Sequence, residues 1–119
     1  MNQTEFDQVV KHRIVKIQNI LTTKAGEYAR HGDRLRNFKN IGTFTEDCPE
    51  KALLMQVVKH FNALKDFINE ITVNEPHGCR EYPYWDEKIG DVITFMILLE
   101  ALILERLGNQ DASKETQDQ

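Results

Sequence analysis

The chain has 119 residues, 29% of them charged and 8% aromatic, with a net charge of −4 at neutral pH. That is the balance of one ordinary globular domain, long enough for a single core. The acidic excess gives the molecule as a whole no electrostatic attraction to duplex nucleic acid or an anionic membrane.

The polar opening Met1-Asn2-Gln3-Thr4 predicts no secretory signal. In the first element, Thr4 is placed to cap a helix, with Asp7 three residues on in capping-box spacing. Phe6, Val10, Ile14, Ile17, Leu21, Ala25 and Tyr28 then recur at steps of three and four, one stripe of a long helix ending near Gly32. "DRLRNFKNIG" reads as a short helix capped by Asp33 and closed by Gly42. Pro49 suits the first position of the next long helix, where Leu54, Val57, Phe61, Leu64, Ile68 and Ile71 form a stripe reaching about Val73. "NEPHGCREYP" is a loop, Pro83 opens the last long helix, and Gly108 is its expected stop. Residues 108–119 are polar and read as a disordered tail after a single domain over 1–107.

The expected fold is therefore all-α, a bundle of three long helices and one short one. From Val92 to Leu104 the last helix is apolar except at Thr94 and Glu100, too short for the roughly 20 residues of a membrane span. A helix apolar nearly all round is central or shared, so a homodimer completing the bundle around it is expected. A soluble cytoplasmic protein follows from this reading. Cys48 and Cys79 form no CxxC, and with His77 they lack a fourth metal ligand, so free thiols in loops are the simpler reading.

Three clusters carry possible chemistry. Glu87 and Asp91 lie one turn apart at the head of the last helix, with Gly90 leaving space beside them. Such a like-charge pair costs about 0.2–0.5 kcal/mol when exposed, and a Mg²⁺ between the carboxylates reverses the sign. Two solvated acids are the alternative, although Thr94 and Glu105 continue the same face. Next, Lys24 to Asn40 holds Lys24, Arg30, Arg34, Arg36 and Lys39 against Glu27 and Asp33, a surplus of three positive charges. Guanidinium groups suit phosphate, and Tyr28 and Phe38 suit stacking on a base; a solvated basic turn with both aromatics in the core is the other reading. In the middle helix, Lys59 begins a polar stripe and His60 flanks the apolar one. Lys59 is placed to meet a phosphate or to neutralise Glu87 and Asp91. No nucleophile with a plausible base and no phosphate-binding glycine loop is present.

"DEKIGDVITFMILLEALILE" resembles the second acidic motif of MazG-like all-α nucleoside triphosphate pyrophosphohydrolases. Over residues 5–107 the chain is similar also to small phage and prophage proteins of the nucleotide-modification-associated type, through "LTTKAGEYARHGDRLRNFKN", "VVKHFNALKDF" and "EKIGD". The resemblance implies a nucleotide ligand and Mg²⁺ on Glu87 and Asp91. It places Lys59 or His60 in the same catalytic pocket, and Lys24, Glu27, Tyr28, Arg34, Arg36 and Phe38 are the ligand-binding candidates. It departs from the MazG pattern in lacking an ExxE on the preceding helix, where Lys59, His60 and Asp66 stand, and in Lys88 three residues before Asp91. Two readings follow. One is a Mg²⁺-dependent nucleotide pyrophosphohydrolase, with Glu27 a conceivable third carboxylate. The other is a non-catalytic sponge that sequesters a nucleotide immune signal, in the host cytoplasm if phage-encoded. A helical interaction protein is a third.

Overall fold

The computed structural model describes residues 1–23 and 35–117, with side chains over 1–22 and 35–110. Four helices appear in chain order, α1 (Gln3–Thr23), α2 (Arg36–Phe44), α3 (Pro49–Asn69) and α4 (Tyr82–Gln117), with no strand among the described residues. The all-α expectation holds. No helix is long and apolar enough to cross a membrane among these residues.

Helix α1 is capped two residues earlier than expected. Asn2 Oδ1 accepts from the Glu5 N–H at 2.9 Å, and Glu5 Oε2 accepts from the Asn2 N–H at 2.9 Å. This is a capping box on Asn2 and Glu5, not on Thr4 and Asp7; Asp7 instead accepts from the Gln3 side chain at 2.8 Å. Gly32 and Asp33 lie outside the described residues.

Gly42 does not close α2, which continues to Phe44. It is buried where the backbone of Asp47, Cys48 and Pro49 folds back, and a Cβ would stand only 2.8 Å from the Asp47 carbonyl oxygen. The chain turns afterwards at Glu46, whose φ of 57° is left-handed. Pro49 then opens α3 as expected. Gly108 likewise fails to end α4, which continues to Gln117.

Helices α3 and α4 are antiparallel. Phe67 meets Trp85 edge-on at 5.5 Å at one end, and Arg106 donates to Glu50 at 2.7 and 2.9 Å at the other. Between them Leu35, Leu53, Val57 and Leu102 are buried, with Phe38, Phe95, Leu98 and Leu99 packed around them. The core face of α3 is thus Leu53, Val57 and Phe67. Leu54, Phe61 and Ile68, expected inside, are 57, 51 and 57% exposed. They occupy a flank about 100° round the helix, because one residue's step turns the chain by that angle.

The loop joining α3 to α4 is tied at both ends. Arg80 donates to Glu70 at 2.6 and 2.9 Å while its guanidinium lies 4.3 Å from the Phe67 ring centre. The Trp85 indole donates to the Arg80 carbonyl at 3.0 Å. Gly78 is required there, since a Cβ would collide with the Thr72 carbonyl.

Candidate functional site

The first turns of α4 carry acids on two faces. On one face Asp86 is buried and receives charge from α1. Arg13 Nη2 donates to its Oδ1 at 2.7 Å, Lys16 Nζ donates to its Oδ2, and His12 Nε2 lies 3.5 Å from Oδ1. Arg13 Nη1 also donates to the Asp86 carbonyl oxygen at 3.2 Å. Burial alone raises the Asp86 pKa, but the hydrogen bonds and positive charge of Lys16 and Arg13 outweigh it and hold the carboxyl down at about 2. Gly90, one turn later, leaves room for this arginine: a Cβ would stand 3.0 Å from Arg13 Nη1. The small residue beside the acid pair therefore serves the α1 junction.

Sequence reasoning missed Asp86. A signal was available in "KHRIVK" on α1, a cationic run of Lys11, His12, Arg13 and Lys16. No acid stands within a helical turn of Lys16 on its own helix, so a partner elsewhere was implied.

On the other face stand the acids that the spacing picked out. Asp91 is half-buried, with Oδ2 3.4 Å from His60 Nδ1 across the α3–α4 contact. The His60 ring stacks on Phe95 at 5.3 Å between centres and 26° between planes. Glu87, one turn earlier, is exposed and makes no ion pair with a described residue. Thr94, one turn later, has a buried hydroxyl with no hydrogen-bond partner among the described residues. Lys59 is exposed on α3 beside His60 and likewise makes no ion pair with a described residue. The structure thus brings Asp91 and His60 together, and puts Glu87 and Lys59 beside them in sequence.

The basic segment is less concentrated. Arg36 is exposed at the start of α2. Phe38 packs edge-on against Phe95 at 6.2 Å, part of the core. Lys39 pairs with Glu105, which is therefore occupied in joining α2 to α4. Lys24, Glu27, Tyr28 and Arg34 lie outside the described residues.

Among the described residues no three His, Cys, Asp or Glu side chains are grouped to hold a metal ion. Cys48 and Cys79 are free thiols, the first preceding α3 and the second exposed in the loop. A cleft of about 490 Å³ opens away from Asp91, lined by Lys39, Pro49, Glu50, Leu102, Glu105 and Arg106. Its charges are mutually paired, and the Arg106 hydrogen bonds keep the Glu50 carboxyl below its usual pKa. That cleft has no free charge pattern aimed at a ligand. No protein-family model matches the chain, and no curated protein or solved structure matches it.

Proposed function

We propose that the face of α3 and α4 bearing Lys59, His60, Glu87 and Asp91 binds a nucleotide or nucleotide-derived small molecule. The reading rests on one observation, the His60–Asp91 contact between two helices at 3.4 Å. Around it stand polar groups with no partner among the described residues, Glu87 and Lys59 at the surface and the Thr94 hydroxyl beneath it. A buried hydroxyl without a partner is uncommon in native proteins and marks a place where a ligand or water completes the bonding. Lys59 supplies a positive charge for phosphate.

The donor set suits Mg²⁺ in a limited way. Two carboxylates one turn apart suit a hard ion that keeps several of its waters and shares a phosphate. When bound, such an ion supplies charge neutralisation for the phosphate oxygens. Asp91 already gives an oxygen to His60, and a third carboxylate from Glu27 lies outside the described residues. With two acids in place of an acidic cage, retention of the nucleotide is better supported than pyrophosphohydrolysis. This favours the sponge reading drawn from the resemblance to phage and prophage proteins, a homo-oligomer acting in the host cytoplasm on a nucleotide immune signal.

The test incubates the protein with a nucleotide panel, with and without Mg²⁺, and follows ligand depletion and product formation by chromatography. Depletion is expected, with intact ligand recovered after denaturation and the effect lost in Glu87→Gln and Asp91→Asn. Turnover lost in the same variants establishes the enzyme instead. If no nucleotide is retained, His60–Asp91 is a packing contact and the protein is a helical interaction module.

A further inference from the structure

The helices are not held by the same kind of contact. The core cluster of Leu35, Leu53, Val57 and Leu102 draws on α3, α4 and the residue before α2, and no α1 side chain belongs to it. Among the described residues α1 lies on α4 and makes no comparable contact with α2 or α3. Residues 1–12 are all exposed, and from there to Thr22 Ile17 alone is buried. A helix with so little apolar surface to return to water has a low free energy of local opening.

What holds α1 is charge gathered on one carboxylate. His12, Arg13 and Lys16 converge on Asp86 from little more than one helical turn, so a single displacement of α1 parts all three from it. The catch is reached by solvent from the α1 side, where the His12 and Lys16 side chains are 42 and 46% exposed. Ion pairs that gain distance in water lose their attraction quickly, because solvent and salt screen them. An apolar interface spread over several turns has no such single point of release. Two arrangements follow: α1 closed with Asp86 saturated, or α1 open with Asp86 free beside Glu87.

We propose that α1 is a strap that opens and closes on α4 as a unit while the core of α2, α3 and α4 stays folded, with the contact of Arg13 and Lys16 on Asp86 as its catch. Opening bares the Asp86 carboxylate and also Gly90, whose missing side chain leaves the seat for Arg13. The strap therefore sets whether this carboxylate is available to solutes at all. Nothing in this depends on the nucleotide reading, which concerns the other face of α4.

The test is native-state hydrogen exchange of the full chain in increasing, sub-denaturing urea. Amides from Ile14 to Leu21 are expected to exchange at least a hundredfold faster than those from Leu53 to Phe61. Their urea dependence should be less than half as steep, because opening the strap exposes less surface than unfolding the core. In Lys16→Gln the strap amides should exchange about tenfold faster still, and in Asp86→Asn at least thirtyfold faster, each keeping the shallow urea dependence. One rate and one urea slope for both regions overturns the proposal, since α1 and the core then unfold together. A fast α1 that neither variant accelerates also overturns it, because such a helix frays without a catch. Should Asp86→Asn fail to fold, Lys16→Gln carries the same comparison, its change lying at a half-exposed side chain.

Discussion

Asp86 and Asp91 stand five residues apart on one helix and do different work. Asp86 is buried among Arg13, Lys16 and His12 of α1, with every cation within reach spoken for. Among the described residues, Asp91 meets one imidazole at 3.4 Å, and it is half-exposed. The first is a fastening between elements, where the charges are neutralised and the geometry is fixed by several hydrogen bonds. The second is a weak contact with spare hydrogen-bonding capacity around it. A ligand site needs the second kind of acid, because a carboxylate saturated by the protein has nothing left to offer.

The contrast is broken most forcefully at Asp86. In Asp86→Asn, Arg13 and Lys16 lose their counter-charge at a largely buried junction. A loss of about 2–3 kcal/mol is expected, or a fall in Tm of about 10 °C, measured at fixed protein concentration. A change within 2 °C would show that the α1 junction contributes little. The same group sets an acid limit. Its folded pKa of about 2 lies below the reference 3.8, so the stability it contributes is fully present above pH 4. It is lost as the pH falls from about 4 through about 2, and amounts to about 2 kcal/mol. Urea midpoints for the native chain should decline over that window, and those of Asp86→Asn should decline less.

These two acids also mark what the sequence can disclose. The all-α class and the Pro49 start were legible, since a 3.6-residue period and proline's missing N–H act locally. The partner of each face was not. Asp86 and Glu87 differ by one residue's rotation, and only the position of α1 decides which is buried. On α3, Leu53 and Leu54 are equally apolar, yet one is fully buried and the other 57% exposed. The apolar arc is wider than a single neighbour can cover. Gly42 and Gly108 were read as stops because glycine relieves a left-handed turn, but glycine permits such a turn without imposing one. Gly42 answers to a backbone passing close by, and nothing lies within 4 Å of the Cβ position of Gly108. The candidate site was half legible. Helical spacing found Asp91 and His60 separately, and the antiparallel pairing that joins them is tertiary.

Gly90 sharpens the comparison at smaller amplitude. Alanine in a helix is worth about 1 kcal/mol over glycine, but here its methyl would press on Arg13 Nη1. The arginine is held by its bonds to the Asp86 carboxylate and carbonyl and does not yield freely. Gly90→Ala is therefore expected to be neutral or destabilising in the native chain, and stabilising by about 1 kcal/mol in an Asp86→Asn background. The double-mutant cycle isolates that coupling. A full gain in both backgrounds would show that Asp86 does not fix the arginine.

The smallest effect on stability belongs to Asp91. Asn at this position still offers an oxygen to His60, and the imidazole stays seated on Phe95 through ring stacking. A lone, partly exposed carboxylate–imidazole contact contributes under about 1 kcal/mol, so Asp91→Asn should move Tm by no more than a few degrees. Its nucleotide retention in the presence of Mg²⁺ should fall at least tenfold, because one of the two carboxylates that would hold the ion against the phosphate is gone. A variant that keeps its ligand while losing 10 °C in Tm would invert the contrast. Asp91 would then be a second fastening like Asp86, with the polar flank of α3 and α4 serving the bundle rather than a ligand.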